Sequence, residues 1–298
     1  MSKEIAIMFG LEEKQTVGSE PPNNDFDKLF EYGEHYNSVL LSSGRDALSL
    51  CLLQIKAEKK KKICLLPIYL CGCIVDKFLL FNYEIVFYKI PRNFIIDSDY
   101  FDMLVKKINP DVLFFQIYFG VDSAKNVRPF YDIYKNKGII IIEDITNSIY
   151  FSLNTSCPAT YYIGSLRKWY PIIDGGILVS TKEIHHIPII ENSIFIRFKK
   201  AAMKKKLEYI ENGNINLKDQ IFKINSRAEN YLDNVNKCFA MSFESKKILS
   251  YIDISEINKI RINNYLFLYK ELKNCKFIEP FTYDKNCLPS LYFTFYVD

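Results

Sequence analysis

A chain of 298 residues is long enough for one large core or for a large and a small domain. Its 49% hydrophobic and 25% charged residues match a globular chain and argue against disorder. The net charge of +4 offers no basic stripe interleaved with aromatic residues, and the densest basic run, Lys59 to Lys62, reads as a solvated loop, so nucleic-acid binding is not expected. The start, MSKEIAIMFG, lacks the apolar stretch of a signal peptide, so the eight cysteines read as reduced thiols of a cytoplasmic protein. Cys51, Cys64, Cys71 and Cys73 fall in apolar segments, where free cysteine behaves as a small buried hydrophobe. No cysteine spacing gives a zinc pattern, and only His35, His185 and His186 are available as imidazole ligands, so no metal site is expected. The longest apolar runs, such as Asp111 to Phe119, fall short of the roughly 18 residues that a membrane helix needs.

In chain order, short β-branched or aromatic runs alternate with amphipathic ones. Strands are expected at Ile63 to Pro67, Glu84 to Tyr88, Val112 to Ile117, Ile139 to Glu143, Tyr161 to Gly164 and Ile177 to Ser180. Their near-continuous hydrophobicity fits strands covered on both faces. Helices are expected at Asp46 to Glu58, Ile74 to Phe81, Phe101 to Ile108 and Val127 to Lys137. This alternation predicts a three-layer α/β/α sandwich around a mostly parallel sheet, over residues 1–180. From about Thr181 to Asp298 the pattern changes to long, polar, helix-prone sequence through Ser255 to Lys273, read as a second segment. Two β-like stretches, Lys276 to Glu279 and Leu291 to Val297, close it.

Three places combine residue types that carry chemistry. Ser43-Gly44-Arg45 is a small polar turn opening into a helix, where free N–H groups and the dipole favour an anion such as a phosphate. Glu143-Asp144 closes a run buried on both faces, and a carboxylate at the carboxyl end of a central strand lies where open α/β sheets bind ligands. Ser165-Leu166-Arg167-Lys168 occupies a largely uncharged loop between strands, and a desolvated lysine there becomes nucleophilic near neutral pH. Taken singly, each has a plainer explanation as a helix cap, a loop acid or a solvated charge.

Taken together, these segments resemble the DegT/DnrJ/StrS sugar aminotransferases, within the fold type I pyridoxal-phosphate enzymes. Ser43-Gly44-Arg45-Asp46-Ala47-Leu48 is similar to the family's phosphate-binding SGTxAL turn, and Glu143-Asp144 to its EDAAQ segment. Gly175-Gly176 begins seven positions after Lys168, as in the family's KNLTTGEGG, with Asp174 in place of Glu. Met241-Ser242-Phe243-Glu244 and Arg261 resemble the MSELQAA helix and the basic helix after it. The resemblance implies pyridoxal 5'-phosphate as cofactor, bound covalently by Lys168. Ser43, Gly44, Arg45 and Ser165 would hold its phosphate and Asp144 its pyridine nitrogen. It further implies a homodimer that moves an amino group from glutamate to a keto sugar nucleotide for surface polysaccharide. Small molecules are its expected partners, with no membrane or nucleic acid involved.

Some positions depart from the family pattern. Asn147 stands in the place of the usual Gln or His near the cofactor ring. Cys71 lies where a ring-stacking aromatic is expected, which leaves Tyr69 as the nearest substitute. Cys238 and Ala240 align with the Asn and Arg of the partner-subunit motif, and part of the small C-terminal domain is expected to be missing. Two other readings stay open. One is a relative that keeps the fold without the chemistry and serves as a partner or scaffold subunit. The other is a dehydratase using the same cofactor, although such enzymes usually carry His where Lys168 stands. Ser165-x-x-Lys168 also matches the S-x-x-K of acyl-serine enzymes, but the Ser-Asp-Asn and Lys-Thr-Gly triplets of that set are absent.

Overall fold

The computed structural model describes residues 36–55, 62–149, 158–235, 237–281, 283 and 289–297. The start of the chain, the end of the first expected helix at 56–58 and residues 59–61 of the basic run lie outside them. Seven strands form one sheet: β1 (Asn37–Leu41), β2 (Lys62–Pro67), β3 (Tyr83–Tyr88), β4 (Val112–Gln116), β5 (Ile140–Asp144), β6 (Tyr161–Gly164) and β7 (Gly176–Ser180). Their order is β1-β7-β6-β5-β4-β2-β3. From β6 through β5, β4 and β2 to β3 the pairings are parallel, and β7 runs antiparallel to both β6 and β1. The six expected strands are all present within one residue of their expected bounds. Strand β1 was not expected: it is an edge strand whose only buried residue is Leu41, so its sequence lacks the continuous apolar run that marks the central strands.

Side chains alternate across the pleat, and this sorts the core into two layers. On one face Val112, Phe114 and Ile142 pack with Ala47, Leu48 and Cys51 of α1 (Gly44–Gln54) and with Ile74 and Phe78 of α2 (Gly72–Leu80). On the other, Leu113, Phe115 and Ile141 meet Phe101 and Val105 of α3 (Ser98–Ile108) and Tyr131 and Tyr134 of α4 (Tyr131–Asn136). Helix α3 begins three residues earlier than its apolar spacing suggests, because the Asp97 carboxylate caps it by accepting from the Tyr100 N–H at 2.8 Å. Expected as one helix from Val127 to Lys137, the next segment is instead a 3-10 turn, Arg128–Phe130, followed by α4: the Phe130 and Tyr131 N–H groups donate three residues back, to the Val127 and Arg128 carbonyls.

The same alternation separates the two neighbouring acids. Glu143 faces α4 and is fully buried, accepting from the Arg128 guanidinium and from the Tyr131 hydroxyl at 2.8 Å, while Arg128 also reaches Asp122 at 2.8 Å. Glu143 is thus part of the scaffold, and Asp144 alone points toward α1. Removing one member of a buried ion pair leaves the other charge uncompensated. Arg128→Met is therefore expected to cost about 3–5 kcal/mol in denaturant unfolding, and a loss under about 1 kcal/mol would show that Glu143 does not depend on it.

After β7 come α5 (Ser193–Asn212), α6 (Asn216–Asn234), α7 (Phe243–Ser250) and α8 (Ile254–Leu272). Helices α5 and α6 pack through Phe195, Ala228 and Leu232. Gly213 ends α5 with φ +66, a left-handed cap that suits glycine, and returns its N–H to the Tyr209 carbonyl. Strands β8 (Ile278–Pro280) and β9 (Phe295–Val297) form a separate antiparallel pair. Among the described residues, no helix is long and apolar enough to cross a membrane. No cluster of three or more His, Cys, Asp or Glu that could hold a metal ion occurs among them.

Candidate active site

The carboxyl ends of β4 and β5, the amino end of α1 and the loop between β6 and β7 surround a cavity of about 650 Å³. Ser43, Gly44, Arg45, Asp144, Ser165 and Lys168 all line it, so segments more than 120 positions apart in the chain converge on one space. Tyr69 and Asn147 do not line this cavity. Tyr69 is largely exposed, its ring 5.8 Å from that of Tyr118 and its carbonyl accepting the Tyr118 hydroxyl. Asn147 is buried, and its backbone carbonyl accepts the Leu291 N–H at 3.0 Å, tying down the C-terminal segment.

At the start of α1, extended Ser43 is the N-cap. Its hydroxyl accepts from the Asp46 N–H at 3.2 Å and donates to the Asp46 carboxylate at 2.6 Å. That hydroxyl is committed within the cap. What remains for an anion is the N–H groups of Gly44 and Arg45, which by helix geometry have no partner four residues back, together with the positive end of the dipole. The turn is pressed against the β6–β7 connection. The Gly175 N–H donates to the Ser42 carbonyl at 2.7 Å, and a Cβ on Gly176 would lie 2.2 Å from both the carbonyl carbon and oxygen of Ser43.

Asp46 carries a consequence for stability. Burial pushes its carboxyl up to about 6, against the pull of the Ser43 hydroxyl and the Phe239 N–H. A raised carboxyl means that the folded chain holds a proton which the unfolded chain releases near pH 4, so stability falls as pH rises from about 4 to about 6. Asp46→Asn, whose amide keeps a donor for Ser43 and an acceptor for Phe239, is expected to flatten that part of the curve of unfolding free energy against pH. An unchanged slope in the variant would assign the dependence to another group.

Asp144 sits at the end of β5, buried, with its Oδ1 accepting the Thr146 N–H at 2.8 Å. Burial raises its pKa, while the hydrogen bonds from Thr146 and the charge of Lys168 pull it back. Thr146, which no sequence pattern singled out, joins the acid to the lysine loop. Its hydroxyl accepts the Ser165 N–H at 3.1 Å and its carbonyl accepts the Trp169 indole N–H at 2.7 Å. Lys168 ends a 3-10 turn, Leu166–Lys168, braced from outside by Arg261, which stacks 4.9 Å from the Trp169 ring and donates to the Trp169 carbonyl at 3.3 Å. The Lys168 side chain is exposed to the cavity, not desolvated as the loop's composition suggests, because the apolar residues of the loop pack inward and leave Lys168 facing open space.

Helix α6 adds a charge that the sequence did not announce. Glu229 accepts from Arg45 at 2.9 Å and from both terminal nitrogens of Arg167 at 2.6 and 2.9 Å, while Arg45 also pairs with Asp233 at 3.0 Å. Burial pushes the Glu229 carboxyl up, but the hydrogen bonds and charges of Arg167 and Arg45 outweigh it and hold the group at about 2. Lys199 and Lys206 of α5 also line the cavity. Among the described residues, five basic side chains therefore line the space with two carboxylates, Asp144 and Glu229, a balance suited to a multiply charged anion.

Two other quoted segments prove to be supports. Asp174 is fully buried and accepts from the Ser242 N–H at 3.0 Å, the Ser242 hydroxyl at 2.5 Å and the Ser245 hydroxyl at 2.6 Å, which locks the start of α7 to the β6–β7 connection. Cys71 and Cys73, expected to be buried, are exposed and half-buried in the cavity wall, because α2 begins at this point and its first turn faces the open space.

No family model matches the sequence, and no curated protein matches it either. Solved structures do resemble the fold. A GDP-4-keto-6-deoxy-D-mannose-3-dehydratase from E. coli with bound hydrated PLP superposes with a TM-score of 0.59 over 92% of this chain and 69% of its own, at 14% identity. A DegT DnrJ EryC1 StrS aminotransferase from Brucella abortus gives 0.56 over 91% and 68%, at 13% identity. The fold is that of the fold type I pyridoxal-phosphate enzymes. A sphingosine-1-phosphate lyase from Burkholderia pseudomallei shares it with a TM-score of 0.56 at 11% identity, and there this chain spans 59% of the neighbour's length. At such identities the fold is what is shared, and the chemistry has to be read from the site itself.

Proposed function

We propose that the protein is a pyridoxal-phosphate-dependent aminotransferase that takes an amino group from glutamate and passes it to a keto sugar nucleotide, as a cytoplasmic homodimer in surface polysaccharide synthesis. The observation that supports the cofactor most directly is the convergence of the α1 amino end, Asp144 and Lys168 on one cation-rich cavity. Their chemistry fits the three parts of that molecule. The N–H groups of Gly44 and Arg45 suit the phosphate, buried Asp144 suits a protonated pyridine nitrogen, and the exposed Lys168 amine suits the aldehyde. Bound there, pyridoxal phosphate supplies an electron sink for negative charge at an amino acid's α-carbon.

The chain's own residues do the rest. Lys168, once its amine is free, takes the proton from the donor's α-carbon and returns one to the aminated side. Asp144, held by the hydrogen bond from the Thr146 N–H, would receive the ring nitrogen, and Arg167 and the lysines of α5, which line the same cavity, would meet the carboxylate and phosphate groups of the substrates. The sugar nucleotide rests on the family resemblance of the sequence and on the likeness of the fold to the GDP-4-keto-6-deoxy-D-mannose-3-dehydratase. Lys168 in place of His favours amino transfer over dehydration.

Incubating the cofactor-loaded protein with glutamate, in the absence of an acceptor, is expected to release up to one 2-oxoglutarate per active site. No release under saturating glutamate would contradict the aminotransferase reading. In that case cofactor uptake alone would favour a relative that has kept the fold and lost the reaction.

A further inference from the structure

The chemistry above leaves two cysteines of the cavity wall without a task. Cys71 is the N-cap of α2 and Cys73 lies in its first turn, with their sulfurs 3.2 Å apart and joined by a hydrogen bond. Both line the cavity, and Cys71 is exposed there. Between them, Gly72 has nothing within 4 Å of the place a side chain would occupy, so the backbone has room to shift as the sulfurs approach. The hydrogen bond with Cys73 pulls the Cys71 thiol down to about 5 against the opposing effect of burial, and the charges of Lys168 and Arg45 add to the pull. Cys73 is correspondingly pushed up, so Cys71 is the thiol of the pair that gives up its proton more readily. By contrast, burial raises Cys51, Cys64 and Cys238, the last two to about 12, which leaves their thiols inert.

We propose that Cys71 and Cys73 form a reversible dithiol–disulfide pair in the wall of the cavity, closed by exchange with a low-molecular-weight disulfide. The Cys71 thiolate attacks one sulfur of that disulfide, breaking its S–S bond, forming a mixed disulfide and releasing one small thiolate. Cys73 then loses its proton to the solvent or to the released thiolate and attacks the Cys71 sulfur. The Cys71–Cys73 bond forms and the second small thiol leaves. Two protein thiols are oxidised and one small disulfide is reduced to two thiols. Closure replaces the ionisable Cys71 thiol in the cavity wall with a neutral disulfide sulfur. None of this depends on the identity of the cofactor.

The test uses the full-length protein equilibrated with glutathione and glutathione disulfide in varying ratio, quenched in acid, unfolded and alkylated. Cleavage after Lys62 and Lys77 isolates one peptide carrying Cys64, Cys71 and Cys73. It is expected to carry three labels under reducing conditions and one label under oxidising conditions. The oxidised form is lighter by two hydrogens before labelling, free of glutathione, and restored to three labels by excess reduced glutathione. Cys71→Ser and Cys73→Ser should never reach the closed, adduct-free form. A wild-type peptide that keeps three labels in excess glutathione disulfide, or that carries glutathione without closing, overturns the proposal. So does a single-serine variant that still loses labels without an adduct, because the bond would then involve Cys64.

Discussion

Lys168→Ala is expected to slow the release of 2-oxoglutarate from glutamate by about 10²–10⁴-fold, the range over which a positioned general base contributes. The substitution removes an exposed side chain that faces the cavity, so the melting temperature should stay near that of the wild type, within the roughly 0.5 kcal/mol typical of surface changes. Lys168→Arg separates the two possible contributions of this residue. It keeps the positive charge opposite Asp144 but cannot give up a proton at neutral pH. Arginine should therefore be as inactive as alanine if Lys168 moves protons, and substantially active if only its charge matters. Single-turnover measurement of 2-oxoglutarate, beside thermal melts of all three proteins, distinguishes these outcomes.

Gly176→Ala should damage the framework of the site directly. The added carbon would meet the carbonyl carbon and oxygen of Ser43 at 2.2 Å and the Gly44 nitrogen at 2.7 Å. These are backbone atoms, so no rotamer change relieves the overlap. Strand β7 cannot slide away either, because Gly176 is in register with Leu41 of β1 and its neighbour Ile177 with Gly164 of β6. Overpacking typically costs about 1–3 kcal/mol, and any relief has to come from moving the α1 amino end, which lowers affinity for an anion there. Gly72→Ala is the matched control. It adds the same carbon in open space at the start of α2 and should alter stability by no more than about 1 kcal/mol. If the Gly176→Ala protein melts with the wild type and binds inorganic phosphate equally well, the close packing of β7 on the Ser43 turn is not what shapes the site.

What the sequence reveals and what it hides follow from the range of the interactions. The central strands were legible because burial on both faces writes a continuous apolar run, as in Val112 to Phe115, whereas edge strand β1 leaves no such mark. The turn before α1 was legible because an N-cap serine followed by glycine is a local signal. Asp144 was told from Glu143 in the sequence only by the family resemblance; the physical reason, that the two adjacent acids point to opposite layers, needs the strand direction and the helices on each face. Glu229 carried no signal at all. It is one of several acids on a polar helix, and its partners, Arg45 and Arg167, lie 184 and 62 residues away. Thr146 was missed for a different reason: two of its three contacts to the site use backbone atoms, which any residue type provides. Cys71 and Cys73 were misjudged because their neighbours are apolar, while the start of α2 turns both thiols toward the cavity.

The most direct measurement of the central claim is borohydride reduction of the protein after incubation with pyridoxal phosphate, followed by peptide mapping. One cofactor is expected to be fixed per chain, on Lys168, with none fixed in Lys168→Ala. Fixation spread over surface lysines, or equal in wild type and variant, would contradict it.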